Sequence, residues 1–466
     1  MKVWTGDEIR RVGYLVVDLI AQHLTEIESN PVFTPVPRDA AERALTTSTP
    51  TFAATADEIL REFRDSIEPY PFGNGHPRFW GWVNSPPAVM GIFADALAAA
   101  MNPSCAGGNH AAIYVEHQVI SWLRELLGFP ADAMGLLVSG GSMATLTALA
   151  VARHVKCGIN VRKDGLRAAP EPFAFYMTEH GHSCARNAIE LLGFGGDAIR
   201  TIPVGEDFRM DVDSLNRAIA EDLDNGVRPI AVIATLGTTN TGAIDDLDGV
   251  ADVCARHDVW LHVDAAYGGP AVLLDEYAVV RRGLARADSA ALDPHKWMFV
   301  PVEAVFVIVR DAEVMRAAFS LVPPYIRTAG SPTGVYGLLW FSEYGFQQTR
   351  GFRALKVWMT LKHAGIDGLR ETVAANIALA RDLADRIRRA GDFELVATGL
   401  SVVCFRYRGD DTLNKRILER LQLGGQVFLT STELNGRFVL RACIVNYRST
   451  REDVDRLLAA VRQSAA

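Results

Sequence analysis

A chain of 466 residues, 49% hydrophobic and 22% charged with a formal net charge of −8, is too long for one small core; two or three domains are expected, or one large α/β domain with satellites. The acidic balance argues against nucleic-acid binding and against an anionic membrane surface. No stretch reaches the roughly 18 uncharged apolar residues of a membrane span, "MKVWTGDEIRR" lacks a signal peptide's apolar run, and six scattered cysteines without a CxxC pair fit reduced thiols of a cytoplasmic protein, not a metal site.

In chain order, "GDEIRRVGYLVVDLIAQHLTEIES" places Ile9, Val12, Val16 and Ile20 at helical spacing. Proline-rich "NPVFTPVPRDA" ends that helix in an extended segment, and "TADEILREFRDSI" predicts a second helix capped by Thr55. Residues 1–79 therefore read as a helical and extended arm suited to lie over another subunit. Residues 80–345 change texture. The β-rich runs "GLLVS", "FAFYMT", "PIAVIATLG", "VWLHVDAA" and "AVFVIVRD" alternate with helical stretches such as "MATLTALAVARHV" and "SCARNAIELLG". That alternation predicts a mostly parallel sheet with crossover helices, and ligands beyond the C-terminal ends of its strands. Residues 346–466 open with a long helical region broken near Gly365. They continue through strand-like "FELVATGLSVVCFRY", a helix and "RFVLRACIVN", which predicts a small α+β C-terminal domain.

The unusual polar residues fall where the apolar runs stop. After "GLLV" come Ser139, Gly140, Gly141 and Ser142, then a helix, a turn suited to cradle a phosphate on free N–H groups and a helix dipole. Neither a dinucleotide fingerprint nor a Walker motif is present. Asp264 closes "VWLHVD", and the small Ala265 and Ala266 beside it suit something flat. His180 and His182 precede the helix that starts near Ser183, and His182 is the better placed to face an aromatic ligand. Thr238 and Thr239 end another strand in hydroxyls. In "SAALDPHKWMFVP", Lys296 is an amine planted in apolar surroundings. Each has a plainer reading: a tight turn, a salt-bridged aspartate, a helix cap, a turn threonine, a lysine marking a strand end. Together they ask for one ligand, a phosphorylated aromatic aldehyde, which is pyridoxal 5′-phosphate (PLP). Its phosphate would lie at Gly140–Ser142, its pyridine nitrogen at Asp264, its ring against Ala266 and its carbonyl on Lys296.

The motifs "HPRFWGW", "GHS", "ATLGTTNTGAIDDL", "HVDAAYGG", "DPHKW" and "FRALKVW" resemble the group II PLP-dependent amino-acid decarboxylases, the family of aromatic-L-amino-acid and glutamate decarboxylases, over nearly the whole chain. The resemblance implies an α/β chain of PLP fold type I, aspartate-aminotransferase-like, and a homodimer with active sites near the subunit interface. It implies an enzyme that releases CO2 and an amine from an L-amino acid. By the same resemblance Lys296 bonds to the cofactor, Asp264 partners its ring nitrogen, His182 stacks on the ring with Ala266 on the other face, and Thr239 lies near ring and substrate. Gly140, Gly141 and Ser142 hold the phosphate, and His295 sits beside phosphate and substrate. Tyr325, in the loop-like "FSLVPPYIR", returns a proton to the substrate carbon, and Arg441 is placed to meet a substrate carboxylate. Trp80 and Trp82 fall where the family lines its side-chain pocket and favour an aromatic substrate; they read equally as core. Two positions depart from the family. Asp293 stands where aromatic decarboxylases carry asparagine, which puts a direct phosphate role for it in doubt, and Gly-Gly-Ser replaces Ser-Ala-Ser. An acidic-amino-acid decarboxylase, an aldehyde synthase or aminotransferase, and a non-catalytic PLP scaffold are the alternatives. The presence of Tyr325, Lys296, Asp264 and His182 weighs against the last two.

Overall fold

The computed structural model describes residues 3–321, 334–335 and 337–466. The chain divides into two compact units. One takes Met1–Pro86, Leu383–Val396 and Cys404–Ala466; the other takes Pro87–Asp382 and Ala397–Val403. In the first unit, helix α1 (Gly6–Glu26) starts at Thr5 and α2 (Ala56–Ser66) at Thr55. Both use a reciprocal box in which a threonine hydroxyl and a glutamate three residues on, Glu8 or Glu58, satisfy two backbone N–H groups. Neither helix buries a residue, and α1 leaves Ile9, Tyr14, Leu15, Val16 and Val17 exposed.

The second unit is built on seven strands: β1 (Met134–Val138), β2 (Phe173–Thr178), β3 (Ile199–Ile202), β4 (Arg228–Thr235), β5 (Trp260–Asp264), β6 (Ser289–Leu292) and β7 (Val305–Val309). Their order is β1-β7-β6-β5-β4-β2-β3. β1, β6 and β7 are buried along their whole length, which explains their uninterrupted apolar runs. Helix α3 (Gly141–Lys156) follows β1, and α4 (Ser183–Leu191) follows β2. Helix α5 (Arg353–Arg389) breaks at Gly365, whose φ of 67° and ψ of 164° leave the helical region where the sequence places the break. The sheet is mixed. β7 runs antiparallel to both β1 and β6, while β2, β3, β4, β5 and β6 are mutually parallel. Reversing twice through β7 leaves β1 parallel to β6. The C-terminal ends of β1, β2, β4, β5 and β6 therefore open on one edge.

The remaining strands, β8 (Phe393–Gly399), β9 (Val402–Tyr407), β10 (Thr430–Leu434) and β11 (Arg437–Cys443), form a second sheet in the order β10-β11-β9-β8. β10 and β11 pair as a hairpin across Asn435 and Gly436, both at positive φ (52° and 71°), the geometry an Asn-Gly turn supplies.

Candidate active site

The shared edge gathers the polar residues that end each strand. Asp264, last in β5, sits between Thr235 of β4 and Ala291 of β6, and its Oδ1 accepts the Ala266 N–H at 3.1 Å. β6 stops at Leu292 and the chain turns, the Lys296 N–H donating to the Asp293 carbonyl at 2.9 Å. The Lys296 side chain folds back so that Nζ lies 2.8 Å from Asp293 Oδ2, with the carboxylate 3% exposed and the amine 21%. Burial alone would lower the amine; Asp293 and Asp264 overcome it and hold Lys296 above its ordinary value.

Beyond β1, α3 begins at Gly141 with no side chain capping its first turn. Those N–H groups are free for an anion. A Cβ at Gly140 would meet nothing within 4 Å; one at Gly141 would come within 3.5 Å of Asp293 Oδ2. Beyond β4, Gly237 has φ +90°, and a Cβ there would crowd Leu400 at 2.7 Å and Tyr267 at 3.0 Å. Beyond β2, the His182 Nδ1 accepts the Cys184 N–H at 3.2 Å, so this exposed histidine is itself the cap of α4.

One cavity is walled by Gly141, Ser142, His182, Thr239, Asp264, Ala266 and Lys296, seven of the residues read from sequence. Gly140 and His295 flank it without lining it. The His295 Nδ1 meets the Ala304 carbonyl at 3.0 Å, Nε2 lies 3.8 Å from Asp293, and burial lowers the ring's basicity. Trp80, Trp82 and Arg441 belong to the first unit. There Trp80 is fully buried with Nε1 donating to Ser449 at 3.0 Å, and Trp82 stacks on Phe72 with ring centroids 5.2 Å apart. The buried Arg441 donates to the Trp82 carbonyl at 2.9 Å, and its Nε and Nη2 lack hydrogen-bond partners among the described residues. Tyr325 lies outside the described residues.

Seven further wall residues were given no site role from sequence: Thr145, His180, Cys184, Thr235, Gly237, Tyr267 and, as a neighbour of the amine, Asp293. His180 lies 3.2 Å from the Asn240 amide and edge-on to Phe208. Burial pushes the Cys184 thiol up to about 11, so it is no nucleophile at neutral pH. Tyr267 stacks on Trp297 at 5.1 Å, its hydroxyl meets Ser401 Oγ at 2.5 Å, and Trp297 Nε1 donates to Asn376 at 3.0 Å. Four had a signal: Thr235 and Gly237 lie in "ATLGTTNTGAIDDL", Tyr267 in "HVDAAYGG" and Asp293 in "DPHKW". A wider groove in the first unit, walled in part by Pro31, Arg78 and Arg456, offers neither an amine nor a strand-end carboxylate, and Arg78 is paired with Asp453. Among the described residues no cluster of His, Cys, Asp or Glu is placed to hold a metal ion, and no helix is long and apolar enough to cross a membrane.

An uncapped helix start, a largely buried amine, a strand-end carboxylate and a flat alanine wall fit a phosphorylated aromatic aldehyde. Comparison with known proteins points the same way. The pyridoxal-dependent decarboxylase conserved domain matches residues 37–408. Among the most similar relatives is an aromatic-L-amino-acid decarboxylase of Bacillus atrophaeus, 35% identical over 99% of this chain and 96% of its own length. Another is a 3,4-dihydroxyphenylacetaldehyde synthase of Aedes aegypti, 28% identical over 96% and 88% respectively. A crystal structure of the Oryza sativa TDC with PLP and tryptamine superposes with a TM-score of 0.92, 29% identity, and coverage of 100% of this chain and 99% of that one.

Proposed function

The chain belongs to the pyridoxal-dependent decarboxylase family, with the fold type I sheet and PLP as its cofactor, and from that premise we propose an L-amino-acid α-decarboxylase acting on an aromatic substrate. The observation that carries this reading is the Lys296 amine, held charged between Asp293 and Asp264 at the mouth of an uncapped helix start. When bound, the cofactor supplies a carbonyl for an amine to bond and a ring that draws off the electron pair left by departing CO2. The protein's part is division of labour. Gly141 and Ser142 anchor the phosphate on backbone N–H groups and a hydroxyl. Asp264 would hold a proton at the ring nitrogen, Ala266 and His182 would pack against the ring, and Lys296 would supply the amine that bonds the carbonyl. Thr239 and His295 steady the substrate side. Tyr325 is proposed as the group that returns a proton to the substrate carbon.

Two finer assignments follow. The α1 face that exposes Ile9 and Val16, seven residues apart, supports a homodimer in which a second copy covers it. All six cysteines are buried, which supports a reducing compartment, the cytoplasm. The test of function is CO2 release from each of the twenty amino acids by protein supplied with PLP. Release confined to phenylalanine, tyrosine, DOPA (tested alongside the twenty) and tryptophan supports the reading; release from glutamate or aspartate alone replaces it with an acidic-substrate enzyme. Aldehyde and ammonia in place of amine would mark an aldehyde synthase.

A further inference from the structure

Asp293 is a wall residue whose part in the proposed chemistry ends at holding Lys296 charged, and an anion site should not contain it. Its side chain is 3% exposed, its Oδ2 faces Lys296 at 2.8 Å, and its Oδ1 has no hydrogen-bond partner among the described residues. The same carboxylate stands 3.5 Å from where a Cβ on Gly141 would lie, at the first residue of the uncapped helix. Its charged and titratable surroundings are few. On its own turn are Lys296 and His295, the latter 3.8 Å away and made less basic by burial. Cys184, on α4, feels its field but is a neutral thiol; Asp264, on β5, is a second carboxylate acting on the same lysine. The first turn of α3 contributes dipole and hydroxyl but no side-chain cation. Among the described residues that line the cavity there is no arginine and no lysine besides Lys296.

A phosphate cradled at Gly141–Ser142 therefore adds its charge beside Asp293 and Asp264, two carboxylates that the single ammonium of Lys296 already has to balance, with no other lysine or arginine on the cavity wall. Two acids forced together do not both stay fully ionised; one proton settles between them. A phosphate ester gives up its second proton near about 6, within reach of a neighbour's field. We propose that Asp293 and the cofactor's phosphate share one proton, so that this chain takes up a proton on binding its cofactor that an asparagine at the same position would not require. The proposal rests on the PLP reading and adds to it a pH-dependent step in loading. Acidification tightens the grip and alkalinity loosens it, with Lys296 and Asp264 unchanged.

The test uses cofactor-free full-length protein and pyridoxine 5′-phosphate, which carries the phosphate and ring but no aldehyde for Lys296. Titration calorimetry in two buffers of different ionisation enthalpy counts the protons taken up, for the parent and for Asp293→Asn. The expected result is a parent count larger by about one proton. The matching affinity should weaken by about tenfold more per pH unit above neutrality in the parent than in the variant. Equal counts and equal pH slopes overturn the proposal and leave the cofactor reading standing. Failure of the parent to bind the probe at all overturns both. Should Asp293→Asn not fold, Asp293→Ser carries the same comparison, and a parent count of zero overturns the proposal with no variant at all.

Discussion

Two ion pairs in the second unit, Glu116–Arg350 and Asp293–Lys296, are built from the same kinds of charge and serve opposite ends. Arg350 and Glu116 are each 1% exposed and meet at 2.5 Å. The guanidinium also donates to the carbonyls of Leu137 at 2.9 Å and Cys105 at 2.6 Å, and Glu116 accepts the Leu137 N–H at 3.2 Å. That pair ties three stretches of backbone together, using the planar fork that only arginine offers. Asp293–Lys296 joins a carboxylate to a point-charge amine on a flexible stem, and the lysine side chain keeps 21% of its surface exposed. Each pair leaves one carboxylate oxygen without a hydrogen-bond partner among the described residues, so the difference lies in the backbone ties and the exposure. A buried pair woven into backbone is architecture; a pair partly exposed on a cavity wall is poised to exchange partners.

The largest effect separates the two at once. Lys296→Ala should abolish CO2 release while the protein still folds and retains some non-covalent PLP, as read by gas evolution, circular dichroism and a cofactor-binding titration. Normal turnover in that variant would remove Lys296 from the chemistry. Next, Arg350→Met strands Glu116 in the core and should cost about 3–5 kcal/mol in urea unfolding. The double change Arg350→Met with Glu116→Leu should recover much of that loss. A single variant as stable as the parent would show that the knitted pair is no structural tie.

A third effect comes from a buried base that is neither pair nor nucleophile. His262 is fully buried on β5, its Nδ1 3.0 Å from Ser289 Oγ, which also receives the Trp260 Nε1–H at 2.8 Å. Burial pushes its pKa down to about 4. The folded value lies below the unfolded one, so its contribution to stability is present above about 6.5 and is lost as pH falls toward 4. The loss should be on the order of 3 kcal/mol at full protonation. Urea unfolding of the parent and His262→Gln from neutral to acid pH checks it. A parent curve no steeper than the variant's would mean that the ring is not forced neutral.

Much of this was legible in sequence because apolar runs and caps are local. β1, β2, β4, β5 and β7 coincide with the five β-rich runs, Thr55 caps its helix, and Gly365 breaks α5. Short β3, with Arg200 and Thr201 in its four residues, carried too little pattern. β10 escaped although Asn435-Gly436 marks its hairpin. Seven cavity residues were among those read from sequence, because strand-end position follows from topology. His180 was set behind His182 and Cys184 was not read, because which side chain of a turn faces inward depends on backbone geometry that no spacing records. The antiparallel course of β7 had a signal: the link 293–304 carries the lysine motif and two prolines, Pro294 and Pro301, which disfavour the helix a parallel crossover would use.

The smallest effect concerns what steadies the lysine from behind. Trp297, the residue after Lys296, is held by Asn376 at its indole nitrogen and by the face of Tyr267. Tyr267 is held in turn by Ser401, whose N–H donates to its hydroxyl at 3.0 Å. Tyr267→Phe keeps the stack on Trp297 and removes only the hydroxyl, leaving the buried Ser401 without that partner. The expected cost is about 1 kcal/mol in urea unfolding, with CO2 release changed no more than a few-fold and PLP affinity unchanged. Retained stability with a tenfold loss of PLP affinity would instead place the Tyr267 hydroxyl on the cofactor. The support behind Lys296 would then be the ring stack alone, and the contrast between architecture and chemistry would run through a single side chain.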